Sequence, residues 1–227
     1  MTPQVQDRLP ASGEDTAPDR MAAIFTEIYR HNSWQNDESR SGPGSTVERC
    51  RIVQVGLETL IEELGIRSLL DAPCGDFNWM KEAPLTGLRY VGVDVVHELI
   101  EENTRRHGRA GREFRQADIT RDPLPTCDLI LCRDALVHFS DEDVCKAVRV
   151  FQESRSPYLA TTTFPAQLRN EPIPTGNWRP LNLELAPFHF PPPFVAVTDG
   201  CPHPGYTDKL LAVWRLADLV VPGACPS

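Results

Sequence analysis

Between residues 66 and 216, short strand-like runs alternate with helical stretches, and this order limits the possible folds more than any other feature of the chain. The runs read "SLLDAPC", "RYVGVDV", "REFRQAD", "CDLILCR" and "YLATTT". Helices are predicted from about His97 to Arg106 and over 141 to 152, where Ser140 and Asp143 form a capping box. Such alternation implies a parallel sheet. "FVAVTDG" and "KLLAVWRL" come after a Pro-rich excursion, 165–193, and have no helix between them, which predicts an antiparallel addition at one edge. Upstream, Met21, Ile24, Phe25, Ile28 and Tyr29 recur at helical spacing. The loop "SWQNDESRSGPGST" leads to a second helix over 46–64, N-capped by Ser45 or Thr46 and ended by Gly65. The expected organisation is a flexible N-terminus over 1–18, helices and a lid loop over 19–65, and an α/β domain over 66–219 with 165–193 inserted.

A chain of 227 residues with 41% hydrophobic content makes one globular domain of ordinary size. Its 32 acidic residues outnumber 23 basic ones, for a net charge of -9. No basic run tracks a phosphate backbone, so nucleic-acid partners are disfavoured. No stretch approaches the ~20 apolar residues of a spanning helix, and the N-terminus lacks the regions of a signal peptide, so no membrane partner and a cytoplasmic location are expected. The seven cysteines include no C-x-x-C pair, which argues against a disulfide framework and a zinc cage. Cys201, His203 and His189 match no common ligand spacing, and no metal is expected.

The turn "DAPCGD" closes the first strand, where an open α/β sheet binds its ligand. A dinucleotide site wants G-x-G-x-x-G against a pyrophosphate. Here only Gly75 is present, and Asp71 and Asp76 would repel a diphosphate but suit an ammonium or sulfonium. Asp94 ends the second strand, where an acid takes both hydroxyls of a ribose, and Asp118 ends the third, placed for an exocyclic amine. Singly, each acid reads as a cap or turn residue. Together they specify a nucleoside without phosphate and with positive charge near the first loop, a description that S-adenosylmethionine meets.

The chain resembles the class I S-adenosylmethionine-dependent methyltransferases over about residues 66–216. "LLDAPCGDF" is similar to the family's first motif, "VGVDV" to its ribose acid, "ADI" to its adenine contact and "DLILCRDALVHF" to its fourth motif. Pro73 and Phe77 stand at two of the three glycine positions of E/D-x-G-x-G-x-G. Together "DAPCGDFNWM", "ESRSGPGS" and "IPTGNWRPLNL" look like a bacterial subgroup of small-molecule methyltransferases. The resemblance implies an α/β, doubly wound, mostly parallel seven-stranded sheet with the last strand antiparallel, helices on both faces and an N-terminal helical lid. It implies S-adenosylmethionine as cofactor, S-adenosylhomocysteine as product, a small-molecule acceptor, and a monomer or homodimer. Its cofactor contacts would fall on Asp71, Ala72, Pro73, Cys74, Gly75, Asp76, Trp79, Asp94, Val95, Asp118, Ile119 and Arg133. Trp34, Ser39, Gly44 and Ser45 would join them from the lid.

On the acceptor side, Arg133, Asp134 and His138 follow the fourth strand. If Asp134 to Phe139 form a helical turn, the carboxylate faces the imidazole and orients a general base. Alternatively, His138 packs beside the cofactor as a structural residue. Arg133 either clamps an acceptor anion or pairs with Asp134 or Asp76. The 165–193 excursion, read as overhanging the cleft, offers Arg169, Asn177, Trp178 and Arg179 to a small polar acceptor. The alternative there is a proline-stiffened cover over the sheet. Methyl transfer to an oxygen or nitrogen is the leading function. A catalytically inactive methyltransferase-like partner and a nicotinamide-dependent oxidoreductase are the alternatives.

Overall fold

In the computed structural model, residues 20–83 and 85–220 are described. The flexible stretch expected over 1–18 lies outside them. A seven-stranded sheet runs in the order β3-β2-β1-β4-β5-β7-β6. β1 (Ser68–Asp71), β2 (Arg89–Asp94), β3 (Arg112–Gln116), β4 (Leu129–Cys132) and β5 (Tyr158–Thr163) are mutually parallel. β7 (Leu210–Arg215) runs antiparallel to both β5 and β6 (Val195–Thr198). The central strands are nearly continuous apolar runs, as expected where both faces are covered: Leu129, Ile130, Leu131 and Cys132 are all buried.

One face is covered by α2 (Val47–Glu63), through Cys50, Val53, Leu57 and Leu60, and by α3 (His97–His107), through Leu99 and Ile100. The other receives α4 (Asp141–Glu153), whose Val144, Ala147, Val148 and Phe151 pack on Leu70, Val91 and Ile130. Leu181, Leu183, Phe188 and Phe190 are buried in that same layer. The second half of the 165–193 segment therefore covers the sheet and does not overhang a cleft.

α1 (Arg20–Arg30) crosses the carboxyl edge of the sheet. Its Arg20 pairs with Asp143 at the start of α4, 3.3 Å away, and its Arg30 pairs with Glu98 at the start of α3. Those two helices follow β4 and β2, which flank β1, so α1 lies over the end of β1. At the start of α2, Thr46 is the cap residue, but its side chain makes no capping bond. The Glu38 carboxylate instead accepts from the Val47 N–H at 2.7 Å.

Cys50, Cys74, Cys127, Cys132 and Cys201 carry free thiols, whereas Cys145 is disulfide-bonded, a bond that the cysteine spacing did not signal. Among the described residues no helix is long and apolar enough to cross a membrane. No three His, Cys, Asp or Glu side chains group there as a metal site.

Candidate functional site

The strand order reverses between β1 and β4, so the crevice that such sheets use for ligands opens there. Asp71 ends β1, in register with Gly92 of β2 and Leu131 of β4. The chain then turns through Ala72, Pro73, Cys74 and Gly75. Gly75 has φ 53, a left-handed conformation that glycine adopts without strain. Ala72 donates to the Leu131 carbonyl at 2.8 Å and Cys74 to the Val93 carbonyl at 2.7 Å, which fixes the loop to both neighbouring strands.

Two carboxylates lie beneath this loop. Asp71 is 4% exposed and accepts from the Tyr90 hydroxyl at 2.6 Å. Burial pushes its carboxyl up to about 7, with the Tyr90 bond pulling the other way. Asp94 is 7% exposed and accepts from the N–H groups of Gly75 at 3.2 Å and Val96 at 3.0 Å. Burial pushes it up to about 6 against those bonds. Among the described residues neither acid has an ion-pair partner. Asp118, beyond β3, is also buried; it accepts from the Thr120 N–H at 2.9 Å and faces Arg121 at 3.4 Å. Val95 and Ile119, the residues after two of these acids, sit at the core boundary and within the core respectively.

Each carboxylate oxygen accepts more than one hydrogen bond. Asp94 therefore retains capacity for two ribose hydroxyls, and Asp71 for a cation. Uncompensated buried acids are costly, and a sulfonium nucleoside bearing hydroxyls and an ammonium supplies what they lack. The residues present fit S-adenosylmethionine.

Several predicted contacts lie elsewhere. Trp79 is buried in the core beneath α2, and the Arg133 guanidinium stands 5.4 Å above its ring. Arg133 binds Asp199 at 2.8 to 2.9 Å and the Gly44 carbonyl at 2.9 Å, and its side chain is buried, so it does not form an open clamp. Asp134 does not face His138 as a carboxylate–imidazole pair. It has φ 55, which breaks the helical turn that pairing required, and only Leu136–His138 form a 3-10 turn. Asp134 instead accepts from the Lys209 ammonium at 2.7 Å and the Thr162 hydroxyl at 3.0 Å.

Lys209 also meets Asp199 at 3.1 Å, which closes a quartet of two cations and two anions drawn from the ends of β4, β6 and β7. Burial pushes the Asp134 carboxyl up, but Arg133 and Lys209 outweigh it and hold the group well below the usual carboxylate range. Asp199 and Lys209 lie 66 and 75 residues from their partners and were not among the predicted site residues.

His138 is half-buried. Its Nδ1 lies 2.8 Å from the Asn177 carbonyl, and its ring packs against Trp34 with centroids 5.1 Å apart. A carbonyl only accepts, so Nδ1 carries the hydrogen and Nε2 presents a lone pair. Burial lowers the imidazole pKa below its ordinary 6.5, and the Asn177 bond raises it only in part. The ring is therefore mostly neutral at pH 7.

Trp178 is 43% exposed and meets Tyr206 edge-on. Arg179 is buried against Asp141 at 2.7 Å and Arg169 is bound at the surface by Glu171, so neither guanidinium reaches toward the crevice as a free arm. In the lid loop, Ser39 bonds Asp76 at 3.0 Å, and the carbonyls of Gly44 and Ser45 receive Arg133 and Asn78.

Residues 69–157 match the family model described as a methyltransferase domain. Among solved structures, the chain is similar to Burkholderia thailandensis 1,6-didemethyltoxoflavin-N1-methyltransferase, crystallised with 1,6-didemethyltoxoflavin and S-adenosylhomocysteine. The identity is 17%, the coverage 91% of this chain and 93% of that one, and the TM-score 0.58. Human N-acetylserotonin methyltransferase in complex with S-adenosylmethionine matches at 15% identity, 88% of this chain, 60% of that one and a TM-score of 0.53. The methyltransferase domain of bacterial CtHen1 matches at 14% identity and a TM-score of 0.45, with 51% of this chain spanning 66% of that one. No protein of curated function matches the sequence. The segment that carries the three acids thus matches a methyltransferase domain model, and the seven-stranded sheet around it has the fold of these solved methyltransferases.

Proposed function

We propose that the protein transfers the methyl group of S-adenosylmethionine to an oxygen or nitrogen of a small polar molecule. One observation carries this reading: Asp71, Asp94 and Asp118 follow three adjacent strands beside the switch point, and among the described residues the first two are buried without a cation. Asp94 would hold the ribose hydroxyls, Asp118 the adenine amine, and Asp71 with the backbone of 72–75 the positively charged end. When bound, the cofactor supplies an electrophilic methyl on a sulfonium whose sulfur departs with the bonding electron pair.

His138 is the residue best placed to take the proton that an acceptor hydroxyl or N–H gives up as its lone pair forms the new bond to carbon. Among the described residues its Nε2 has no hydrogen-bond partner, and its ring is mostly neutral, as a general base requires. The Asn177 carbonyl and the face of Trp34 hold the ring in place, the orienting part expected of a partner carboxylate. The acceptor would lie between Trp34, His138 and the Trp178–Tyr206 pair, where aromatic faces and an exposed amide surround it. The net charge of -9 and the commitment of Arg133 and Arg179 to acids favour a neutral or cationic acceptor over an anionic one.

The test is a thermal shift with S-adenosylhomocysteine, S-adenosylmethionine and NAD in parallel. A ligand at 100 times its Kd adds ~2.7 kcal/mol, worth roughly 2 to 4 °C per kcal/mol in a domain of this size. A rise with both adenosyl ligands and none with NAD is expected. A rise with NAD alone would overturn the assignment, and no rise with any ligand would favour an inactive partner protein.

A further inference from the structure

We propose that Asp76 is the latch of a strap, residues 38–46, that lies across the crevice between β1 and β4 and governs how fast cofactor leaves. The gating half of this proposal rests on the cofactor reading above. The Asp76 Oδ1 accepts from the hydroxyls of Ser39 at 3.0 Å and Ser41 at 3.2 Å and from the Asn78 N–H at 3.2 Å, while Oδ2 accepts from the Arg40 N–H at 2.7 Å. Its own N–H donates to the Ser41 hydroxyl at 2.9 Å. These bonds occupy the carboxylate within the protein, so Asp76 is a positioning residue and does not take the cofactor's ammonium.

Ser41 seats against Gly75 so closely that a Cβ there would stand 2.2 Å from its hydroxyl oxygen. The strap's far end is tied by the Gly44 carbonyl to Arg133, and a Cβ on Gly44 would come within 3.1 Å of Asp134. Asp76 follows β1 and Arg133 follows β4, and these strands are neighbours at the switch point. Between the two ties the chain reads Ser-Arg-Ser-Gly-Pro-Gly, with no large apolar side chain to bury. Hydrogen bonds to charged groups hold this segment, so it opens without disturbing either core layer.

Arg40 is exposed and its peptide lies in the strap, which makes tryptic cleavage after Arg40 a direct readout of opening, with cleavage after the exposed Arg169 as internal control. When opening and closing are fast, cleavage tracks the open population. Wild type, Asp76→Ala and the double variant Ser39→Ala/Ser41→Ala are compared without ligand, with fragments identified by mass spectrometry. Dissociation of S-adenosylhomocysteine is then timed by stopped flow.

Both variants should be cut at Arg40 at least ~10-fold faster than wild type, since each removes more than one hydrogen bond to a charged group and a single such bond is worth about that factor. Both should also release S-adenosylhomocysteine faster by a similar factor. Equal cleavage in all three proteins would overturn the latch. Loss of cofactor affinity in Asp76→Ala with wild-type behaviour in the serine pair would make Asp76 a direct ligand, which also overturns it. Wild-type protein that binds no S-adenosylhomocysteine would sink the cofactor reading and the gating half with it, while the ligand-free cleavage rates would still judge the latch.

Discussion

Asp94 titrates where solution measurements are easy, and its behaviour tests both the geometry and the assignment. Burial pushes its carboxyl to about 6 from an ordinary 3.8, against the pull of the Val96 and Gly75 N–H groups. The folded protein thus holds this proton more tightly than the unfolded chain. The resulting stability is fully present below the unfolded value and is lost as pH rises through about 6. Linkage gives a loss of ~1.4 kcal/mol between pH ~5 and pH ~7.5, or roughly 3 to 6 °C of Tm in a domain of this size.

Asp94→Asn removes that slope. Its single amide oxygen cannot serve both N–H groups, which costs ~1 to 3 kcal/mol at every pH, so the comparison is made between slopes and not between absolute Tm values. Asp71, pushed up to about 7, titrates in both proteins and largely cancels. Ribose hydroxyls prefer the ionised acid, so Asp94 should tighten wild-type affinity for S-adenosylhomocysteine ~10-fold across the same window, while the variant binds weakly and keeps only the pH dependence that Asp71 imposes. Scanning fluorimetry and calorimetric titration at the two pH values read both effects. A variant Tm that follows the wild-type pH profile would refute the burial argument, and a wild-type affinity that is flat with pH would refute the ribose assignment.

Lys209→Met should lower stability by ~3 to 5 kcal/mol in urea denaturation, because it leaves the buried Asp199 and the partly buried Asp134 to share Arg133. Tyr90→Phe removes the 2.6 Å donor to Asp71 and should cost ~1 to 3 kcal/mol. That cost should be larger at pH 8 than at pH 5, since the bond favours the ionised acid; equal costs at the two pH values would count against it. His138→Ala should keep S-adenosylhomocysteine affinity within ~3-fold and, with an acceptor in hand, slow methyl transfer by ~10²- to 10⁴-fold. A near-normal rate would return His138 to a structural role.

The alternation of strands and helices and the acids at the strand ends were legible because both depend on local signals. Apolar runs of four to six residues mark the central strands, whereas β3 shows only Phe114 between charged neighbours. An acid at the carboxyl end of such a run has one place to go in a parallel sheet. The quartet around Arg133 was not legible, since Asp199 and Lys209 come from the β6–β7 edge and meet β4 only after the sheet closes. The expected pairing of Asp134 with His138 assumed right-handed backbone at Asp134, and sequence spacing does not reveal φ 55. In the 165–193 segment, Pro and Asn suggested an open acceptor loop, while Leu181, Leu183, Phe188 and Phe190 follow no helical or strand period and so gave no sign of core.

That segment also bears on how the protein could be re-engineered. Exchanging a whole acceptor loop for a relative's is a common way to alter what an enzyme accepts. Here residues 181–190 take the place a helix would occupy on the α4 face, and Phe164 is tied to Leu181 by a backbone bond of 2.9 Å. A graft of the full 165–193 stretch would strip four large side chains from the interior and leave an insoluble chain before any new substrate was tried. Diversity is better confined to the exposed positions of 166–180, such as Leu168, Asn177 and Trp178, with the buried Thr175 and Arg179 kept in place.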